Sequence, residues 1–384
     1  MTRAFALARL AAGRTSPNPM VGAVVVRGGH LIGEGYHRGA GRAHAEIEAL
    51  DALGDKAKGA TIYVTLEPCC RHGRTPPCTD ALIRAGVNEV VYSVRDPNPR
   101  VDGRGHAQLE AAGISVRAGI CAEAGEELIR PFYKYSTEGL PFVTTKFAMS
   151  LDGKIATRTG HSRWISSPES RRYAHELRNL SDAILVGAGT VVIDDPRLTT
   201  RLEGVDVRHP LRIVVDSRGR APVEAQIFSA DLSGKTVLAT TEKAPSKHCD
   251  ELENQGVDIW RLSANGNGQV DLLSLLERVA LEEMLTALVE GGSGLLGSFF
   301  GCELVDQALV SVSPKVIGGI DALSPVGGFG VAVMDEATEF SETNIELHGV
   351  DVWIRADKPR RPVRHNPETA KEGKQERGHV HRNR

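Results

Sequence analysis

Aromatic residues are scarce, at 5% of 384, and the chain carries only six cysteines. Few aromatics leave few rings on which unpaired bases could stack, which weighs against a single-stranded nucleic acid substrate. Six cysteines spread over this length do not make a disulfide framework, so metal binding or free thiols are the uses to examine. An excess of one charge is also lacking: 46 Lys and Arg stand against 49 Asp and Glu, a net charge of -3. No global basic field would draw the chain to a polynucleotide or an anionic membrane. No apolar run reaches the roughly 18 residues of a membrane span. The stretch Met1 to Ala12 is interrupted by Arg9 and reads as an amphipathic helix rather than a signal peptide, so a cytoplasmic location is expected. What is plentiful is glycine, 41 residues, beside a globular balance of 41% hydrophobic and 25% charged residues. The length favours two domains.

Hydrophobic periodicity predicts a compact α/β unit first. Helices are expected over Thr2 to Gly13, Ala43 to Leu53, Thr79 to Ala85 and His106 to Ala112. Strands are expected over Met20 to Arg27, with Leu31 to Tyr36 as its hairpin partner, and over Thr61 to Leu66, Glu89 to Ser93 and Ile114 to Arg117, with largely parallel pairing in the unit. Ala122 to Thr137 is a connecting helix. A second α/β unit follows, with strands over Phe142 to Met149, Ala183 to Val186, Leu211 to Val215, Thr236 to Thr240, Asp258 to Leu262, Ala287 to Glu290 and Gln307 to Val312. The expected division is 1–121, a connector 122–140, 141–356, and a basic tail 357–384 with almost nothing apolar to bury, read as disordered.

His44-Ala45-Glu46 opens a predicted helix, Pro68-Cys69 follows a buried strand, and Cys78 lies further on. One imidazole and two thiolates make a tetrahedral zinc site with one position open, the catalytic arrangement. Glu46 is not needed as a ligand; its task is to take a proton from the activated water and pass it to a leaving amine. The alternative is a structural zinc knuckle, with Cys70 or His72 as fourth ligand and Glu46 idle. The pattern resembles the zinc-deaminase signature H-x-E with P-C-x-x-C, except that eight residues separate Cys69 from Cys78. That insert must loop out beside the metal, where it can line a pocket. His44 and Glu46, two apart, do not share a helix face and can converge only around a first turn.

Further runs narrow the resemblance. They are Ser16-Pro17-Asn18-Pro19-Met20-Val21-Gly22-Ala23, Thr65-Leu66-Glu67-Pro68-Cys69, Gly73-Arg74-Thr75-Pro76-Pro77-Cys78 and Arg95-Asp96-Pro97-Asn98-Pro99, then Ser150-Leu151-Asp152-Gly153-Lys154-Ile155-Ala156, Trp164-Ile165, Val186 to Val191, Asp194 to Thr199 and Glu290-Gly291-Gly292. With these the chain, to about Ala356, resembles the bifunctional deaminase/reductase family of riboflavin biosynthesis, whose form includes the long cysteine spacing. The resemblance implies an N-terminal cytidine-deaminase-like three-layer α/β/α domain and a C-terminal dihydrofolate-reductase-like α/β domain. It implies deamination of a phosphoribosyl diaminopyrimidinone and NADPH-dependent reduction of the ribosyl group, one Zn2+ per deaminase domain, a small-molecule substrate, and a homo-oligomer, dimer or tetramer. Nucleic acid and membrane partners are not expected. For the pyrimidine and its phosphoribosyl group it implies Asn18, His72, Asp96 and Asn98; the competing role for the two asparagines is to cap Asn-Pro turns.

In the second unit Gly292-Ser293-Gly294-Leu295-Leu296-Gly297 is a G-x-G-x-x-G between a strand and a helix. Without the acidic residue about 20 positions later it is weak as a Rossmann fingerprint, but it suits a phosphate cradle that extends to Ser298. Asp216-Ser217-Arg218 could receive the 2′-phosphate of NADPH or be an ordinary turn. The resemblance adds Ala148, Trp164, Thr190 and Asp194 as cofactor contacts, with Ser217 from the turn. For the phosphorylated substrate it adds Ser162, Arg178, Leu198, Arg201 and Glu290, although the two arginines could be plain surface charges. Asp152-Gly153 reads as a hairpin turn, and that structural role is kept, with Asp152 as proton donor during hydride transfer the lesser alternative.

Overall fold

The computed structural model describes residues 1–73 and 76–359. Arg74, Thr75 and the expected tail beyond Pro359 lie outside the described residues. The first unit is built from α1 (Thr2–Arg9), β1 (Gly22–Arg27), β2 (His30–Tyr36), α2 (Ala45–Asp51), β3 (Thr61–Leu66), α3 (Cys78–Ala85), β4 (Glu89–Val94), α4 (Arg104–Ala111) and β5 (Ser115–Arg117). Its five strands run in the order β2-β1-β3-β4-β5. The expected largely parallel pairing needs correction. β3-β4 and β4-β5 are parallel, but β1 is antiparallel to both β2 and β3. The β1-β2 hairpin is the expected one, closed at Gly28 and Gly29 with φ +58° and +80°, so the correction falls on the antiparallel β1-β3 ladder.

Helices cover both faces of this sheet. Ala45 and Ala49 of α2, Leu82 of α3 and Leu109 of α4 pack on Val25, Ile62, Val64 and Val90. On the other face, Ala4 and Leu7 of α1 meet Val24. Close approach there depends on Gly22, where a Cβ would stand 2.0 Å from the Ala4 carbonyl. The result is a three-layer α/β/α sandwich, the arrangement that the resemblance implies.

Helix α5 (Ala122–Glu138) packs Leu128, Ile129 and Phe132 on this second face with Phe5, Leu66 and Val94. The rest of the chain forms β6 (Phe142–Ser150), α6 (Pro168–Leu180), β7 (Ala183–Gly187), α7 (Ala188–Asp194), β8 (Leu211–Val215), β9 (Thr236–Thr240), α8 (Ser246–Asn254), β10 (Asp258–Arg261), α9 (Leu272–Leu281), β11 (Thr286–Glu290), α10 (Ser293–Gly301), β12 (Gln307–Ser313), β13 (Glu342–His348) and β14 (Asp351–Asp357). The nine strands run β10-β9-β8-β7-β11-β6-β12-β14-β13. All ladders from β10 to β12 are parallel, and β14 and β13 close the sheet antiparallel. Strands such as Ala-Ile-Leu-Val are apolar throughout because the sheet is buried on both faces, by α9 and α10 on one and by α8 on the other.

α5 is more than a connector. Arg130 pairs with Asp357 at 2.6 Å, Glu127 with Arg355, and Lys134 with Asp306 at 2.5 Å, so the helix is bolted to β14 and the start of β12. β14 thus carries Asp357, where a tail was expected to begin. The Asp152-Gly153 turn forms, with Gly153 at φ +72° and the Ser150 N–H on the Lys154 carbonyl at 2.9 Å, but Lys154 to Ala156 is not a strand.

Candidate functional site

His44 is the N-cap of α2 and Glu46 lies in its first turn, which is how two residues so spaced come to one place. Cys69 follows β3, and Cys78 opens α3, so both helices present N-termini, and hence partial positive charge, to the thiols. The ligand atoms of His44, Cys69 and Cys78 all lie within 4.8 Å of one another, with His44 Nδ1 3.2 Å from Cys78 Sγ and 3.5 Å from Cys69 Sγ. Hydrogen bonds from Cys78 and His44 lower the Cys69 thiol, while the hydrogen bond to Cys69 and burial raise Cys78, so the two sulfurs share one proton that a metal would displace. One imidazole and two thiols, mostly buried and converging, fit zinc. Among the described residues no fourth His, Cys, Asp or Glu joins them; Cys70 is half-buried and His72 exposed, both outside the group, which removes the knuckle alternative.

Glu46 is 4% exposed, and burial, then the charge of Cys69, pushes its carboxyl up to about 6. Asp96 is buried too and is pushed up to about 7. The Asp96 Oδ1 accepts the Asn98 N–H at 2.9 Å, and the Asn98 Oδ1 accepts the Arg100 N–H at 3.0 Å, so both side chains cap the turn they stand in. That loop is clamped from beneath by Glu67, a residue not singled out above. Its buried carboxylate accepts the N–H groups of Asp96, Gly103 and His106 at 3.3, 3.0 and 3.1 Å. A second unforeseen residue is His37, buried beside His44 and hydrogen-bonded to Asn18. Seven residues from His44 and on no regular element, it gave no spacing signal.

In the second unit the expected cofactor residues gather at the C-terminal edge of the parallel strands, beside the point where the chain order reverses between β7 and β11. That is where open α/β sheets bind ligands. Thr190 and Asp194 lie on α7 after β7, Ser217 follows β8, Gly292 caps α10 after β11, and Ala148 is near the end of β6. Gly292 has φ +82°, and a Cβ there would stand 2.9 Å from the Thr190 hydroxyl. The glycine motif divides by role. Gly294 faces open space, whereas a Cβ on Gly297 would meet the Gly327 carbonyl at 2.1 Å, so Gly297 serves packing. Leu296 is fully buried in the core, leaving only its backbone for a ligand. The Ser217 hydroxyl accepts the Val270 N–H at 2.9 Å, and Asp216 caps the turn through the N–H groups of Arg218, Arg220 and Ala221. Trp164 is exposed.

Ser162 donates to Asp194 at 3.0 Å, joining one expected substrate residue to one expected cofactor residue. Arg178 is no surface charge. Its guanidinium holds Glu290 through two bonds of 2.7 and 2.8 Å, both side chains buried. Burial would raise the Glu290 carboxyl, but Arg178 overrides it and brings it down to about 2. Arg201 donates to Thr199 at 2.8 Å, and Leu198 is buried at φ +49°. Burial and the neighbouring Arg178 and Arg201 push His175 down to about 4, and burial pushes the Lys146 ammonium down. Neither His175 nor Lys146 was foreseen. One carboxylate among Lys146, Arg178 and Arg201 leaves this pocket positive, as an anion requires. The Asp152 carboxylate accepts from the Ser150 hydroxyl and from the Ile317 and Gly318 N–H groups, which brings it down to about 2 and gives it the structural part of holding the 317–318 loop.

Among the described residues no helix is long and apolar enough to cross a membrane. Two family models match the chain: the cytidine and deoxycytidylate deaminase zinc-binding region over residues 1–94, and the RibD C-terminal domain over residues 141–354. The chain is similar to the riboflavin biosynthesis protein RibD of Aquifex aeolicus, 41% identical over 92% of this chain and 96% of that one. The Escherichia coli protein of that name is 40% identical over 92% and 97%. Among solved structures, the deaminase/5-amino-6-(5-phosphoribosylamino)uracil reductase of Thermotoga maritima superposes with a TM-score of 0.81 at 35% identity, covering 94% of this chain and 97% of that one.

Proposed function

The chain belongs to the RibD family of bifunctional riboflavin biosynthesis deaminase/reductases, and from that premise we propose which residues carry each step. The first half hydrolyses the 2-amino group of 2,5-diamino-6-(5-phosphoribosylamino)pyrimidin-4-one, consuming water and releasing ammonia. His44, Cys69 and Cys78 hold the zinc, whose chemistry is to lower the pKa of a bound water toward neutrality. Glu46 moves the proton from the attacking water to the departing amine, a task suited to a buried carboxyl near pH 6. Asn18 and Asp96 orient the pyrimidine, Asn98 shapes the turn beside it, and His72, on the exposed insert, faces the phosphoribosyl group.

The second half reduces the ribosyl group of the uracil product to ribityl. A nicotinamide cofactor, NADPH, supplies the hydride and the protein aligns donor and acceptor. Thr190, Asp194, Ser217 and the backbone from Gly292 to Ser298 hold the cofactor phosphates and ribose, with Ala148 and Trp164 along the nicotinamide. Arg201, with Arg178 and Ser162, receives the substrate phosphate; Glu290 and Leu198 complete the pocket. Reduced thiols at the zinc site and six free cysteines suit a cytoplasmic setting. Self-association through the far edge of the larger sheet is supported by exposed Ile345 and Leu347 on β13; sedimentation of the purified protein checks it.

The observation that carries the reading is three convergent zinc-type ligands with a buried Glu46 beside them. Anaerobic incubation of zinc-loaded protein with the diaminopyrimidine tests it. Ammonia release comes first, and NADPH oxidation depends on it; NADPH oxidised without prior ammonia release, or never, breaks the assignment.

A further inference from the structure

The loop Thr15 to Pro19 touches both halves of the molecule. On one side, residues 13–16 are held by the reductase half. The Ser16 hydroxyl donates to Asp182 Oδ2 at 2.7 Å, Arg208 donates to the Gly13 carbonyl at 2.5 Å, and Arg14 donates to the Asn179 and Asp206 carbonyls at 3.1 and 2.7 Å. Asp182 is itself fixed. It is buried at the mouth of β7, its Oδ2 accepts the N–H groups of Leu285 and Thr286 at 2.9 and 3.0 Å, and its Oδ1 pairs with Arg208 at 2.8 Å. A carboxylate with this many donors is a rigid anchor.

Two residues beyond Ser16, Asn18 is held from the zinc side. Its Nδ2 lies 3.0 Å from His37 Nε2, and His37 Nδ1 lies 3.0 Å from the Ala43 carbonyl. A backbone carbonyl can only accept, so Nδ1 carries the ring proton and Nε2 is a bare acceptor. The group facing Nε2 must therefore be the Asn18 amide nitrogen, since its oxygen there would set two acceptors against each other. Asn18 Oδ1 is left as an acceptor with no protein partner among the described hydrogen bonds. The His37 ring also stands edge-on to the His44 ring, centroids 5.3 Å apart at 81°. The path from Asp182 to a metal ligand is thus continuous, through Ser16, Asn18 and His37.

We propose that His37 and Asp182, one from each half of the chain, are positioning residues for deamination: His37 fixes which end of the Asn18 amide meets the pyrimidine, and Asp182, through Ser16, fixes where. This rests on reading the zinc site as the deaminase and Asn18 as a pyrimidine contact. An acceptor at Asn18 Oδ1 complements the N–H donors of a diaminopyrimidinone, and a flipped amide would oppose them with its own N–H.

The test uses the full-length zinc-loaded enzyme and reads deamination of the diaminopyrimidine, NADPH-dependent reduction of separately supplied 5-amino-6-(5-phosphoribosylamino)uracil, and zinc content. His37→Phe raises the deamination KM about tenfold with kcat changed less, zinc retained and reduction unaltered. His37→Gln, whose side chain can again offer an acceptor, recovers most of that loss. On an Asn18→Ala background His37→Phe adds nothing, because both act through one contact. Ser16→Ala raises the KM roughly two- to threefold, again without change in reduction. Full additivity of His37→Phe and Asn18→Ala, an unchanged KM, or loss of zinc in His37→Phe overturns the role of His37. A silent Ser16→Ala overturns that of Asp182. If the unsubstituted enzyme releases no ammonia, the deaminase reading fails first and takes this proposal with it.

Discussion

The two halves bury carboxyl groups in opposite ways. In the deaminase half no Lys or Arg among the described residues pairs with Glu46 or Asp96, and burial lifts them to about 6 and about 7. In the reductase half Glu290 is equally buried, but the fork of Arg178 closes on it and it falls to about 2. A carboxyl kept dry with no guanidinium on it titrates closer to neutrality, as the proton transfer proposed for Glu46 needs. Glu290, in the pocket proposed for the anionic substrate, is given a permanent counter-charge and stays ionised. Burial alone therefore does not reveal what a carboxyl is for; its partner does.

The largest expected effect isolates one side of this contrast. Glu46→Gln keeps shape and zinc yet lowers the deamination kcat by about 10²–10⁴, while NADPH oxidation on supplied uracil intermediate is unchanged; ammonia release and elemental analysis measure both. Glu290→Gln addresses the other side. It leaves the Arg178 guanidinium buried without its counter-ion, at a cost of about 3–5 kcal/mol. Thermal unfolding followed through reductase activity falls well before ammonia release does, and simultaneous loss of both activities would mean that the halves unfold as one. Gly297→Ala, which drives a methyl into the Gly327 carbonyl, costs about 1–3 kcal/mol and weakens NADPH binding without touching deamination; calorimetry with NADPH checks it.

The smallest effect is a slope. Asp96, raised from 3.8 to about 7, binds more protons folded than unfolded, so its contribution to stability is lost as pH rises across that window. Glu290, lowered from 4.5 to about 2, contributes stability present above pH 4.5 and lost as pH falls toward 2. Asp96→Asn flattens the first slope and leaves the second. Denaturant midpoints measured from pH 3 to 8 show whether the two windows separate.

Much of this was legible in the residues. His44, Glu46, Cys69 and Cys78 could be named because metal chemistry constrains residue type and order strongly, and the apolar parallel strands from Phe142 to Val312 announce themselves by composition. The sequence pattern gave no strand after Val312, although β13 and β14 are there. β13 is exposed along nearly its whole length and so has no buried stripe to betray it; Val352-Trp353-Ile354 in β14 was the available signal. His37, Glu67 and Lys146 went unseen for another reason. Each acts on groups distant in sequence, such as Asn18 from His37 or Gly103 from Glu67, and only tertiary structure brings them together. Arg178 looked like a surface charge because nothing in its own helix predicts Glu290 beside it.

Helix α5 carries a last consequence. Seventeen residues long, about 26 Å end to end, it is riveted at Glu127, Arg130 and Lys134 to the far sheet. Packed on the first sheet and ion-paired to the second, the helix works as a brace between the two halves rather than as a loose linker. Coupled turnover of labelled substrate in the presence of an added unlabelled pool of the uracil intermediate reads the consequence, with dilution of the isotope in the ribityl product as the expected outcome.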